Sequence, residues 1–280
     1  MKAEAINEFY SVNGEVKYVK EDEIFPKINK DPIYEIIRVV DGVPIFLEDH
    51  LARMFKSASL VKHEISLDEK EIRNSIKDIL LHNEIKNTNI KLLSGEADGI
   101  GNIFLVYIVE TFYPPKSYYE KGIETILYEY ERNNPNAKVL VRSFKEDVGQ
   151  RIKEKEVFEA LIINRNGYIP EGSRSNLYFV KESKIYTAPS DEVLQGITRK
   201  HVFEIAKKLN IQIIEETVHK NDLEKMEGAF ISGTGINTLA ISKIENIELL
   251  STGNKVILSL NEAFNEKMRD YVEQNKNFWI

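Results

Sequence analysis

The stretch that decides the fold runs from residue 171 to residue 179 and reads Glu171-Gly172-Ser173-Arg174-Ser175-Asn176-Leu177-Tyr178-Phe179. The acid, glycine and serine predict a tight turn, and the apolar and aromatic residues after Asn176 favour a strand. A carboxylate held on such a turn can pair with a protonated ring nitrogen, which makes an aromatic ring an electron sink. An acid followed by glycine and serine is also ordinary surface-turn chemistry, so this stretch must be weighed together with others.

Three further motifs point to the same kind of site: His50-Leu51-Ala52-Arg53, Gly196-Ile197-Thr198-Arg199 and Ser232-Gly233-Thr234-Gly235. A helix that begins near Thr198, and glycines on both sides of Thr234, expose backbone N–H groups that bind oxyanions. Arg53 can grip a phosphate with two parallel hydrogen bonds. Each motif has an ordinary alternative: Thr198 caps its helix, the glycines mark a turn, and Arg53 is a solvated side chain.

The composition bounds the class of protein. With 280 residues, 42% hydrophobic and 30% charged, the chain can bury a substantial core in one large or two smaller domains. A net charge of -7, with lysines alternating with acids, argues against a nucleic-acid surface. The absence of cysteine excludes thiolate nucleophiles and disulfides, and five scattered histidines predict no metal site. No signal-peptide pattern or bilayer-length apolar run is visible, so we expect a cytoplasmic protein without membrane contacts.

The first part of the chain has the pattern of strands followed by two helices. Asn13-Gly14 and Asp41-Gly42 are hairpin turn signals. One helix is expected from Glu48, and a second from Ser66, where Ser66 and Glu69 have the spacing of a capping box. Further strands are expected at residues 32–40, 43–47, 89–93 and 103–110.

The prolines Pro114-Pro115 predict a domain boundary, because they deny ladder hydrogen bonds and stiffen a crossing segment. We expect a small N-terminal domain at 1–113, a linker at 114–121 and a larger C-terminal domain at 122–280. Helices of the second domain are expected at 143–155, 198–209 and 261–272. Its strands are expected at 122–130, 158–163, 176–180, 184–188, 211–218 and 228–232. The mixture predicts an α/β (α+β) fold class.

The order of the motifs resembles that of the class IV aminotransferases, the pyridoxal-phosphate enzymes of fold type IV. That family includes branched-chain and D-amino acid aminotransferases and aminodeoxychorismate lyase. The similarity runs through nearly the whole chain, in Tyr34-Glu35-Ile36-Ile37-Arg38, Asp41-Gly42, His50-x-x-Arg53-Met54, Glu171-Gly172-Ser173 through Asn176, Gly196-Ile197-Thr198-Arg199 and Ser232-Gly233-Thr234. It implies the two-domain architecture of fold type IV, with pyridoxal 5'-phosphate between the domains, and a homodimer.

The resemblance also implies roles for individual residues. Glu171 stands where the family's acid pairs with the pyridine nitrogen, and Arg53 where its arginine binds the phosphate. The other cofactor residues that it implies, all at the phosphate, are Ile197, Thr198, Gly233 and Thr234. The catalytic lysine, which would bond the cofactor and act as general base at the substrate α-carbon, is expected at Lys138, with Lys145 as the rival.

The sequence indicates the substrate-binding residues less specifically than the cofactor-binding residues. Tyr34 is expected to line the pocket, and Arg38 and Lys91 are candidates to bind the substrate carboxylate, although both can equally be surface charges. The resemblance implies a pyridoxal-phosphate-dependent aminotransferase that moves an amino group between an amino acid and a 2-oxo acid.

Two alternatives stay open at this point: a lyase of the aminodeoxychorismate type, and a catalytically degenerate cofactor-binding homologue. The residues after Lys138 and before Tyr34 depart from the family pattern, which keeps the second alternative open. We expect small-molecule substrates, and no nucleic acid as a partner.

Overall fold

The structure of the chain, a computed structural model, describes residues 4–20, 24–29, 32–110, 113–131 and 142–279. These residues form two compact units. The first contains the described residues up to 110 together with 268–279, and the second contains 113–131 and 142–267. The predicted C-terminal domain extends to residue 280, whereas residues 268–279 belong to the first unit, where Tyr271, Val272 and Trp279 pack on the core.

The first unit is built on an antiparallel sheet with the strand order β2-β1-β6-β5-β3-β4. Its elements are β1 Phe9–Val12, β2 Glu15–Tyr18, α1 Ile24–Lys27, β3 Ile33–Val40, β4 Val43–Pro44, α2 Leu47–Leu60, α3 Glu69–His82, β5 Thr88–Ala97 and β6 Gly101–Val109. Both predicted hairpin turns are confirmed. Positive φ angles at Asn13-Gly14 (49° and 86°) and Asp41-Gly42 (49° and 81°) are those of turns that match strand twist.

Helices α2 and α3 pack on one face of this sheet. Strand β3 alternates strictly between buried and half-buried residues, so every second side chain reaches the core. The core contains Ile37 of β3, Leu51 and Met54 of α2, and Ile72 and Ile76 of α3. The apolar stripes predicted for the two helices are therefore confirmed.

The predicted capping box of α3 is wrong by two residues. Asp68, not Ser66, is the N-cap: its carboxylate accepts a hydrogen bond from the Glu71 N–H at 2.8 Å, and the Glu71 carboxylate accepts one from the Asp68 N–H at 2.8 Å. Ser66 instead donates to the Asn13 side chain at 3.3 Å. Both pairs satisfy the spacing of the motif, and the helix begins after the residue whose extended backbone fits the cap.

The second unit contains a larger sheet. Its elements are α4 Lys116–Lys121, β7 Ile123–Glu129, α5 Arg142–Glu154, β8 Glu159–Ile163, β9 Tyr168–Ile169, β10 Glu171–Gly172, β11 Asn176–Lys181, β12 Lys184–Thr187, α6 Ile197–Lys208, β13 Ile213–Glu215, β14 Val218–His219, β15 Gly228–Gly233, β16 Asn237–Ile244 and β17 Ile247–Glu248. The last helix, α7 Lys255–Trp279, begins in this unit, and its residues from 268 onward belong to the first unit. The sheet order is β10-β8-β7-β16-β15-β11-β12-β13, with β17 on β16, and β9 pairs separately with β14.

An additional pairing of β10 with β11 closes β10, β8, β7, β16, β15 and β11 into a ring. Strand β7 runs parallel to both β8 and β16, and the other neighbours in the ring are antiparallel. Alternate residues of the ring strands, such as Leu177, Ile231 and Leu239, belong to one apolar cluster. The ring thus has a packed core.

Three predicted segments differ from the structure. The predicted linker at 114–121 contains helix α4. The strand predicted at 211–218 is divided into β13 and β14, because the Glu216 N–H turns back to the Ile214 carbonyl at 3.0 Å. The last helix is longer than predicted, and β16, in the middle of the sheet, was not predicted at all.

Candidate active site

The turn that carries Glu171 lies where β10 pairs with β11 and closes the ring of strands. Glu171 pairs with Ile162 of β8 on one side and with Asn176 of β11 on the other. Two strands therefore hold its backbone, and the residue is only 4% exposed. A buried carboxylate is stable only when it is paired with a cation or a hydrogen-bond donor.

Glu159, at the start of β8, holds the same turn. This fully buried carboxylate accepts hydrogen bonds from the Arg174 backbone N–H at 2.8 Å and from the Ser173 hydroxyl at 3.3 Å, and burial raises its pKa. A Cβ on Gly172 would lie 2.6 Å from Glu159 Oε1 and 2.3 Å from Ser175 Oγ, so the turn has room only for glycine. Glu159 is not among the predicted site residues, although an acid at the start of an apolar strand is a signal for such a contact.

Asn176 connects three of the motifs. It pairs with Glu171 on one side and with Ser232 of β15 on the other. Its side-chain amide donates to the Leu194 carbonyl oxygen at 2.9 Å, and a Cβ on Gly196 would lie 2.2 Å from its Oδ1. The Glu171 turn, the start of α6 and the end of β15 therefore meet around this one residue.

Gly233 and Thr234, two of the predicted cofactor-binding residues, follow Ser232, the residue of β15 that pairs with Asn176. Ser232 Oγ lies 3.1 Å from the buried Tyr178 hydroxyl, and burial raises the pKa of Tyr178 to about 12. Gly233 is the last residue of the strand and pairs with Asn237, and Thr234 follows it in a half-buried turn. The backbone of this turn is thus anchored on its strand side.

The first turn of α6 offers backbone donors. Gly196 is the N-cap and supplies no side-chain hydrogen bond, while Ile197 and Thr198 are buried in the first turn. The alternative that Thr198 caps the helix is therefore wrong. Because the hydrogen bond to the Gly196 carbonyl comes from the Lys200 N–H, at 3.1 Å, the N–H groups before Lys200 point out of the helix end, an arrangement that binds anions.

Arg199, the last residue of this motif, anchors the helix instead of facing a ligand. Its guanidinium is buried and donates to Thr187 Oγ1 and the Ala188 carbonyl oxygen, both at 2.7 Å, and to the Glu215 carboxylate at 3.1 Å. These contacts attach α6 to β12 and β13. Arg199 is therefore a structural residue, although it belongs to a motif that indicates a phosphate site.

Arg53 lies in the first unit and forms a charged cluster with Glu35 and His50. Its Nε donates to Glu35 Oε1 at 2.7 Å and its Nη2 to Glu35 Oε2 at 2.6 Å, and His50 Nδ1 lies 2.7 Å from the same Oε2. Burial alone would raise the pKa of Glu35, but Arg53 and His50 more than offset it and hold that pKa well below its usual range. Arg53 is therefore not the solvated side chain of the alternative interpretation.

The candidate substrate residues lie on the sheet face opposite to Glu35. Tyr34 and Arg38 alternate with Glu35 along β3, and Lys91 pairs with Ile36 from β5. Lys91 is buried, its Nζ lies 5.0 Å from the centre of the Tyr34 ring, and it forms an ion pair of 2.5 Å with Glu4. Tyr34 and Lys91 thus contact each other, and Lys91 is not a surface charge.

Lys138, the predicted catalytic lysine, lies outside the described residues. The rival Lys145 is exposed on α5. In the described part of the chain, no three His, Cys, Asp or Glu residues cluster in a way that could hold a metal ion. No helix within the same ranges is long and apolar enough to cross a membrane.

Comparison with known proteins finds similarity along most of the chain. The family model for amino-transferase class IV matches residues 32–244. A probable branched-chain-amino-acid aminotransferase of Rickettsia conorii is 27% identical over 250 residues, which cover 85% of this chain and 84% of that protein. A D-alanine aminotransferase of Bacillus licheniformis is 27% identical over 226 residues, 77% of this chain and 79% of that protein.

Solved structures match the fold. The T.th. branched-chain amino acid aminotransferase with pyridoxamine 5'-phosphate superposes with a TM-score of 0.86 at 22% identity, covering 98% of both chains. The Escherichia coli branched-chain amino acid aminotransferase gives 0.84 at 22% identity, covering 94% of this chain and 95% of that one. At this identity the likeness establishes the fold alone.

The chain belongs to the class IV aminotransferase family. It is a pyridoxal-phosphate-dependent enzyme that moves an amino group between an amino acid and a 2-oxo acid. The fold is the mixed α/β fold of type IV, as predicted.

Proposed function

We propose that Glu171, the start of α6 and the end of β15 form the cofactor site of this aminotransferase, with Arg53 as the phosphate-binding cation of the first unit. The observation that carries the proposal is the meeting of three motifs, distant in sequence, at Asn176. The donor set fits pyridoxal phosphate: a buried carboxylate suits a protonated ring nitrogen, and helix-end and turn N–H groups suit a phosphate.

At the phosphate, the residues of the second unit supply backbone donors. The N–H groups of Ile197 and Thr198 lie in the uncapped first turn of α6, and the Thr198 hydroxyl is available beside them in the same buried turn. Gly233 permits close approach of a ligand to the backbone, and Thr234 adds a hydroxyl. Arg53 would add the charge that these neutral donors lack.

At the ring, Glu171 is the residue that holds a proton on the pyridine nitrogen. Its side chain is buried and its backbone is paired with two strands, so the carboxylate is carried on a rigid part of the sheet. When bound, the cofactor withdraws electrons from the substrate α-carbon, which makes the proton there removable.

Lys138 is the residue that would move that proton. After it has served as the covalent attachment point of the cofactor, its neutral Nζ would take the proton from the substrate α-carbon and deliver it to the cofactor carbon that retains the amino nitrogen. The exposure of Lys145 on α5 favours Lys138, since an attachment lysine must be enclosed with its ligand.

On the substrate side we propose Tyr34, Arg38 and Lys91 as the residues that recognise the substrate. They lie on one face of the sheet. The Nζ of the buried Lys91 lies 5.0 Å from the centre of the Tyr34 ring and 5.8 Å from the centre of the Tyr107 ring. Branched-chain amino acids and D-alanine, which appear in the names of relatives, are the donors to test first.

The decisive experiment is reduction of the purified holoenzyme with borohydride followed by peptide mapping, with Lys138→Ala and Lys145→Ala as a matched pair. The label should appear on the peptide that contains Lys138 and disappear only in Lys138→Ala. A label on Lys145, or on neither lysine, contradicts the assignment. A spectral screen of L- and D-amino acids with the same protein then identifies the donor, because turnover converts the bound aldehyde form to the amino form.

A homodimer in the cytoplasm is the assembly and compartment that we propose. Closed twofold dimers are the commonest state of soluble oligomers, and a cysteine-free chain is compatible with a reducing compartment. Light scattering of the purified protein measures the first, and fractionation of cells measures the second. A monomer, or an enzyme found outside the cytoplasm, would contradict the respective part.

A further inference from the structure

Glu35 is a carboxylate in a position where the sequence pattern calls for an apolar side chain. Strand β3 sends Ile33, Glu35, Ile37 and Val39 to its buried face, and the three apolar members join the core under α2. Glu35 is 1% exposed. A buried charge is unfavourable unless it is paired and hydrogen-bonded, so its contacts explain why it is tolerated there.

Those contacts are directed at one side chain. His50 and Arg53 are three residues apart on α2 and therefore lie on the same face of the helix, above Glu35. Arg53 uses Nε and Nη2 for a bidentate pair with the two carboxylate oxygens, at 2.7 and 2.6 Å. His50, also 1% exposed, contacts Oε2 at 2.7 Å and fixes the carboxylate from a second direction.

The consequence for Arg53 is a fixed guanidinium plane. A guanidinium carries five donors in a rigid planar fork, and two of them are occupied by Glu35. The direction of the remaining N–H groups is thereby set, while the side chain keeps 11% exposure. An arginine side chain otherwise loses much rotamer freedom when it grips a ligand, and a pre-set plane removes part of that loss.

We propose that Glu35 is a positioning residue of the phosphate site: it holds Arg53 in the orientation that binds the cofactor phosphate and does not itself touch the cofactor. His50 in turn positions Glu35. The proposal rests on the proposed function of Arg53 and extends it to a residue buried behind it.

The test compares the affinities of the full-length protein for pyridoxal 5'-phosphate and for pyridoxal, which lacks the phosphate. The affinity for pyridoxal 5'-phosphate divided by the affinity for pyridoxal measures the contribution of the phosphate. This ratio does not change when both ligands lose the same contacts to the ring. Glu35→Gln should lower this ratio by about 10- to 100-fold, the contribution of one charge-assisted hydrogen bond, with little change in the affinity for pyridoxal. Glu48→Gln is the matched control, because it removes another glutamate–arginine pair, between Glu48 of α2 and Arg73 of α3, and should leave the ratio unchanged.

Two further variants make every outcome decisive. Arg53→Gln tests the proposed function itself: if the ratio does not fall in that variant, Arg53 does not bind the phosphate. If it falls in Arg53→Gln but not in Glu35→Gln, only the positioning role is overturned. Equal losses for both ligands in Glu35→Gln also overturn it, since they indicate a purely structural role. Should Glu35→Gln not fold, His50→Gln, which removes one contact to the carboxylate, must lower the ratio in the same direction or the inference fails.

Discussion

Replacing Gly196 by alanine tests whether Asn176 locks the three motifs of the second unit together. Gly196 has φ -65° and ψ 142°, which any residue can adopt, so the substitution adds no backbone strain. The new Cβ would lie 2.2 Å from Asn176 Oδ1 and 3.6 Å from the Arg199 Cβ. The whole clash therefore falls on the amide that donates to the Leu194 carbonyl oxygen.

The magnitude follows from two terms. Overpacking of a buried site costs about 1–3 kcal/mol, and displacing the Asn176 amide from its hydrogen bond adds about 1 kcal/mol. We expect Gly196→Ala to lower the free energy of unfolding by about 2–4 kcal/mol. In an Asn176→Ala background the obstructing amide is gone, and the same substitution should cost less than about 1 kcal/mol.

Urea unfolding of the four proteins of this cycle, followed by circular dichroism, measures these free energies. Gly149→Ala is the matched control: its Cβ would meet no atom within 4 Å on α5, and it should stabilise the protein by about 0.5–1 kcal/mol. A Gly196→Ala protein as stable as the wild type, or a loss of stability that persists in the Asn176→Ala background, would contradict this role of Asn176.

Three other outcomes are expected. Asp68→Ala should cost about 1 kcal/mol in thermal or urea unfolding and Ser66→Ala close to nothing, because only Asp68 caps α3; the reverse order would restore the predicted capping box. Arg199→Gln should cost about 2–4 kcal/mol, against little or no loss for the exposed Arg165→Gln; equal losses would contradict the anchoring role. Because the pKa of Glu35 is lower in the folded than in the unfolded chain, its stabilisation is present above about pH 4.3 and is lost as the pH falls. The difference in unfolding free energy between wild type and Glu35→Gln should therefore shrink from about pH 6 to about pH 3, and a constant difference would count against it.

The hairpin turns and the apolar faces of the helices could be predicted from the sequence, because they depend on residues that are close together in the chain. The hairpin turns at Asn13-Gly14 and Asp41-Gly42, and the apolar stripes of α2 and α3, are confirmed for this reason. The start of α3 was placed two residues early, since Ser66 and Asp68 both satisfy the motif and only the backbone conformation separates them.

The ring of strands could not be predicted in the same way. It closes through β10, a strand of only two residues, which carries no periodic pattern. The position of Glu171 on a turn was predicted, but its pairing with both Ile162 and Asn176 depends on contacts between distant segments.

The partners of the predicted site residues were also missed. The motifs of the sequence include Glu35 without indicating its partner, and they indicate no role for Glu159. Both acids occupy buried strand positions flanked by apolar residues, and that pattern indicates that each must have a partner. The identity of the partners, Arg53 for one and the Ser173–Arg174 turn for the other, required the fold.

The two edge strands of the first unit, β2 and β4, limit aggregation of the chain with other copies of itself. A strand at the border of a sheet offers unpaired backbone groups to any other chain, and folded proteins discourage this with charge, brevity or proline. Strand β2 is mostly exposed and carries Glu15 and Lys17, and β4 consists of two residues and ends in Pro44. Among the residues that the structure describes, neither border presents a long, flat apolar row, and the sheet therefore resists edge-to-edge aggregation.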